Sequence, residues 1–131
     1  MEKTIHIGNA VVCEYVAAGE NGKTSLINVY SGDIIVSALP SSLHLGIYIE
    51  LIPETDGDID IQIEIMLGEK MLAEAHVKIT GKKNEPASIV LAAMQILIEQ
   101  DTMLKVIADG DGYEKRTVLA KKIFQGAIPN R

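Results

Sequence analysis

The sequence predicts an all-β fold: an antiparallel β-sandwich of about seven to nine strands, the count following from turn signals spaced roughly 8 to 12 residues apart. Three observations carry this. Three segments alternate apolar and polar residues with a period of two. Two of those segments match each other residue for residue as an antiparallel pair. Gly, Asn, Asp and Pro clusters separate the segments at strand-like spacing.

Taken in order, Ala10 to Ala17 reads as a first strand and Thr24 to Tyr30 as a second. Asn21-Gly22 stands between them, and both residues tolerate the positive φ of a type I′ hairpin turn. A short strand at Ile34 to Ser37 precedes the break Leu39-Pro40-Ser41-Ser42. From there the odd positions Leu43, Leu45, Ile47, Ile49 and Leu51 are apolar, while His44, Tyr48 and Glu50 alternate with them. Ile59, Ile61, Ile63, Ile65 and Leu67 alternate with Asp60, Gln62, Glu64 and Met66. Met71, Ala73, Ala75, Val77 and Ile79 alternate with Leu72, Glu74, His76 and Lys78. Successive strand side chains point to opposite faces, so each run has one dry and one wet face.

Pairing Leu67 with Met71 brings Ile59 to Ile79, Ile61 to Val77, Ile63 to Ala75 and Ile65 to Ala73. The wet face then sets Asp60 against Lys78, Gln62 against His76 and Glu64 against Glu74, the last a like-charge pair. Gly68 suits a two-residue turn that shifts this register by one, and a bulge reconciles the two signals. Met66 and Leu72 fall opposite each other on the outside and are candidate interface residues. Segment 87–99, ASIVLAAMQILIE, has helix-forming Ala, Leu and Met. It also alternates at Val90, Ala92, Met94, Ile96 and Ile98, and strand is the expectation. Met103 to Asp109 and Tyr113 to Phe124 form a last hairpin around Gly110-Asp111-Gly112.

At 131 residues the chain suits one domain spanning 1–131, with residues 121–131 as a basic C-terminal tail. The single cysteine, Cys13, precludes an internal disulfide and fits a reducing compartment. No signal-peptide pattern stands at the N-terminus, and the apolar run Ile89 to Ile98 is too short for a bilayer, which needs about 20 residues. A cytoplasmic location without membrane attachment is expected. The net charge of −6 disfavours nucleic-acid binding. Acids concentrate between Glu50 and Glu74, and bases between Lys115 and Arg131.

The motifs that suggest chemistry are incomplete. Gly22-Lys23-Thr24 ends like a phosphate-binding loop, but Ala17 stands where its first glycine belongs, and β-branched residues follow where a helix is required. Asp56, Asp58 and Asp60 begin like a calcium loop, yet its sixth position is Ile61 and its twelfth Leu67. The run from Asp109 fails likewise at Tyr113 and Ala120. Loop acids gathered at one end of a sandwich are still able to hold a hard cation, so Asp56, Asp58, Asp109 and Asp111 are the candidate metal ligands. His6, His44 and His76 lack ligand spacing. Cys13 sits among apolar residues as a small hydrophobe. No catalytic residue, cofactor site or hydrolase elbow emerges, so no enzymatic activity is expected. Aromatic residues are few, and Tyr48 alone is a candidate stacking platform for a ligand.

The run from Val11 through Val16, Gly22 to Val36 and Leu39 to Leu51 resembles a family of short β-rich bacterial and phage proteins of unknown function. The resemblance rests on Val12-Cys13-Glu14, on the GK element ending in Val29-Tyr30, and on the Pro-led strand with recurring Leu, Gly and Tyr. It implies a small sandwich, no assigned activity and, for a phage-encoded member, a virion-associated location. The expectation is a structural or protein-interaction module that associates with itself or with a protein partner. The alternative is a β domain binding Ca²⁺ or carbohydrate through loop acids and Tyr48.

Overall fold

The alternating segments extend into nine strands in the computed structural model, which describes residues 5–110 and 113–127. They are β1 (Ile5–Ala18), β2 (Thr24–Val29), β3 (Ile34–Val36), β4 (Ser41–Pro53), β5 (Gly57–Leu67), β6 (Lys70–Gly81), β7 (Ala87–Ile98), β8 (Thr102–Gly110) and β9 (Tyr113–Gln125). Two sheets form the sandwich. One runs β2-β1-β4-β7; the other runs β3-β9-β8-β5-β6.

The core is aliphatic. Leu45, Ile47, Ile49 and Leu51 of β4 and Ile59, Ile61, Ile63 and Ile65 of β5 are all buried in one cluster with Leu104, Val106 and Ile123. Each such side chain contributes about 1.5–3 kcal/mol by leaving water. No polar or charged residue among those described is buried with them.

The Asn21-Gly22 expectation holds. Both residues have positive φ, 58° and 73°, and the Lys23 N–H donates to the Glu20 carbonyl at 3.2 Å. The segment after the turn is strand β2, not the helix that a phosphate-binding loop requires.

Between β5 and β6 the four pairs from Ile59↔Ile79 to Ile65↔Ala73 are as the alternation dictates. The fifth is not. Met66 pairs with Met71 and Leu67 with Lys70, because the ladder shifts after Ile65. Gly68, at φ 61°, opens the tight turn, and Leu72 is the extra residue that reconciles turn and ladder.

Segment 87–99 is strand as far as Ile98, but its phase changes midway. The pairing with β4 jumps from Leu45↔Met94 to Ile47↔Leu91, so Ala92 and Ala93 together oppose Gly46. Ile89 and Leu91 therefore face the core before the bulge, and Met94, Ile96 and Ile98 after it. Val90 and Ala92, expected to share the inner face with Met94, are exposed.

Two further expectations are corrected. The sandwich is not wholly antiparallel: β3 pairs parallel with the end of β9, Ile34↔Ile123 to Val36↔Gln125. Residues 121–125 are not a tail but the close of β9; 128–131 lie outside the described residues.

Candidate interaction surface

Ile59 to Ile65 of β5 and Ala73 to Ile79 of β6 turn their odd-numbered side chains inward, so the even-numbered ones of these spans cover the outside of the five-stranded sheet. Asp60 lies opposite Lys78, Gln62 opposite His76 and Glu64 opposite Glu74. The like-charge pair is bridged. Gln62 donates its amide to Glu74 at 2.8 Å and to Glu64 at 3.4 Å. The His76 ring nitrogen lies 2.8 Å from Glu74, and Lys115 reaches Glu64 at 3.5 Å. His76 and Lys115 are exposed while Glu64 keeps only 15% of its side chain in water, and an exposed contact of this kind is worth a few tenths of a kcal/mol up to about 1 kcal/mol. Asp60, Gln62, His76, Lys78 and Asp109 also line one open groove on this face.

Of the candidate metal ligands, Asp56, Asp58 and Asp109 are not gathered into one group. Asp56 accepts the Lys83 backbone N–H at 2.7 Å, and Asp58 accepts the Thr80 hydroxyl at 2.8 Å. Asp109 stands across from Gln62 on β8, and Asp111 lies outside the described residues. Among the described residues no group of three or more His, Cys, Asp or Glu side chains is placed to hold a metal ion. The basic end of the chain meets the acidic middle only through Lys115 among the contacts described, and its later part meets the β2–β3 loop. Lys121 donates to the Gly32 carbonyl at 2.7 Å, and the Lys122 N–H to Asp33 at 2.9 Å.

The candidate interface residues do not meet either. Met66 faces Met71, while Leu72 turns onto the core and packs against it. Met71, not Leu72, is the exposed apolar residue of that hairpin.

The outside of the four-stranded sheet differs in kind. Val12 and Val16 of β1 point inward and are buried, so Val11 and Tyr15 point out. Val11, Tyr48 and Val90 line up across β1, β4 and β7. Tyr15 pairs with Ile27, and Val29 pairs with Cys13. Tyr15, Ile27, Val29, Val90 and Leu97 are all exposed, Leu97 at 57% and Val90 at 42%. Near them Tyr48 and Glu50 border a shallow groove with Leu26, Pro86 and Ser88. Sequence reasoning reached only Tyr48 of this face. The signal for the rest was present: β2, TSLINV, has no charged residue on either side of its alternation.

Cys13 is fully buried beside Gly46 and lies outside the main core cluster. Burial pushes its thiol pKa up, and the neighbouring Glu14 carboxylate adds to the rise. Tyr30 is raised for the same reasons, burial first and then Glu14. Its hydroxyl donates to the His44 carbonyl at 3.2 Å. Both groups stay protonated at neutral pH, the unreactive form of a thiol.

No family model matches the chain, and no curated protein matches it either.

Proposed function

We propose that this chain is a non-catalytic β-sandwich module whose work is to bind protein, either a second copy of itself or another chain. One observation carries the reading: the two outer faces of the sandwich are unlike. One carries paired charges; the other exposes Tyr15, Ile27, Val29, Val90 and Leu97, with Val11 and Tyr48 half-buried between them. Contiguous exposed apolar surface on one face marks contact with another macromolecule, and aromatic and aliphatic anchors without a dense charge pattern are what a protein partner covers. The paired acids and the protonated thiol are consistent with a module that performs no chemistry. The N-terminal resemblance is the support for a bacterial or phage setting, cytoplasmic or virion-associated.

Photo-crosslinking tests the reading. A photoreactive amino acid at Tyr15 or Tyr48 is expected to capture polypeptide in the native cell. The same group at His76, on the charged face, is not. Equal capture from both faces, or none from either, overturns the proposal.

A further inference from the structure

Every open sheet presents unpaired backbone N–H and C=O groups along its two outermost strands, and natural sheets blunt those edges with charge, proline, brevity or irregularity. Here the outermost strands are β2 and β7 in one sheet and β3 and β6 in the other. Three are blunted. β2 has six residues and contains Asn28 at φ 55°. β3 has three residues. β6 carries Lys70, Glu74, His76 and Lys78 on its exposed positions. β7 is the exception: twelve residues, ASIVLAAMQILI, with no charge and no proline. It also displays Val90 and Leu97, the latter the most exposed large apolar side chain among the described residues.

We infer that the β7 edge pairs antiparallel with the β7 edge of a second copy of this chain, joining two four-stranded sheets into one of eight strands. This goes beyond the protein-binding reading above, since edge pairing engages β7 and leaves the outer face uncovered. Two features select a second copy. The first is the bulge at Ala92–Ala93, which reverses the strand's phase. About a two-fold axis near Ala93, Val90 of one copy meets Leu97 of the other, Leu91 meets Ile96 and Ile89 meets Ile98. Outer residues thus meet outer and inner meet inner, so both halves of the strand stay in register at once.

The second feature is charge. Lys82, Lys83 and Glu85 precede the strand with a net single positive charge, and Glu99 and Asp101 follow it with two negative charges, all five exposed. Antiparallel self-pairing sets the acidic end of each copy towards the basic end of the other. The uncharged middle lets the pair approach without like-charge repulsion, despite a net charge of −6. β7 strands meeting in parallel would bring like ends together.

The test is the mass in solution of the full chain by light scattering and analytical ultracentrifugation across a concentration series. A species of twice 14.2 kDa is expected at micromolar concentrations, weakening as salt is raised. Val90→Lys and Leu97→Lys, each at an exposed position, are expected to give a folded monomer by circular dichroism. Hydrogen exchange on the unaltered chain provides a readout independent of any variant: β7 amides are expected to gain protection with concentration, while β2 amides do not. A 14.2 kDa monomer at every concentration overturns the inference; so does a dimer that survives both lysine variants with β7 protection unchanged by dilution. Face-specific crosslinking to a different polypeptide, with a monomeric purified chain, would sink this inference and leave the protein-binding reading standing.

Discussion

Met66 pairs with Met71 across the β5–β6 hairpin, although strict alternation of both strands would place Leu67 there. The one-residue offset frees Leu72 from the ladder and turns it onto the core. Adjacent residues of one short strand segment thereby have opposite fates: Met71 is exposed and Leu72 is packed.

That difference is measurable. Leu72→Glu is expected to destabilise the fold by about 1–3 kcal/mol, because it places a charge against apolar side chains. Met71→Glu is expected to stay within about 0.5 kcal/mol of the parent. Urea unfolding followed by circular dichroism compares the two, and equal midpoints would contradict the bulge.

Gly46 sits where the backbones of three strands close up. A Cβ placed there would lie 2.7 Å from the Ala92 carbonyl oxygen and 3.0 Å from the Val16 nitrogen. Both are main-chain atoms, so neither can swing aside. Gly46→Ala is therefore expected to cost about 1–3 kcal/mol, seen as a lower thermal midpoint. A variant as stable as the parent would show that the strands are free to separate.

The Glu64–Glu74 opposition is held by the Gln62 amide between them. Gln62→Leu removes that donor and leaves two facing carboxylates with one fewer partner. A loss of about 0.5–1 kcal/mol is expected at neutral pH. Chemical denaturation of variant and parent checks this; a variant as stable as its parent would show that the bridging amide contributes nothing.

Cys13 and Tyr30 give a pH dependence at the alkaline end. Both pKa values are raised in the folded chain, from ordinary values of 9.0 and 10.0. The folded state thus holds these protons more tightly than the unfolded state does. Their stabilising contribution is complete below the ordinary values and is lost as pH climbs through the raised ones. Stability is expected to fall from about pH 9 upward, and Cys13→Ser is expected to flatten the first part of that fall. Alkylation by iodoacetamide at pH 8 should be slow in the folded chain and fast in urea.

The sequence made the strands legible because isoleucine, leucine and valine recur at every second position of Leu43–Leu51 and Ile59–Leu67, and no helix satisfies that period. The register of four β5–β6 pairs followed from the same spacing. The bulges at Leu72 and at Ala92–Ala93 did not, since one inserted residue alters the phase of a strand without altering its composition. Val90 was assigned inward for that reason. The parallel contact of β3 with β9 joins segments almost ninety residues apart, Ile34 and Ile123, and no local pattern encodes it. The interaction face was legible only in part. The alternation marks Tyr48 as outward, but that Tyr15, Ile27 and Val90 share its sheet depends on strand order, which spacing alone does not determine.

The parallel junction of β3 with β9 has a kinetic consequence. Ile34–Val36 find their partner only in the final strand, where Gly126 also donates its N–H to the Val36 carbonyl at 3.0 Å. A chain still emerging from the ribosome holds its first strands long before that partner exists, and the loop it must then close is among the longest the molecule offers. Such distant pairings place folding toward the slow end for a chain of this length. During synthesis β3 therefore waits, without its ladder partner, for β9 to be made.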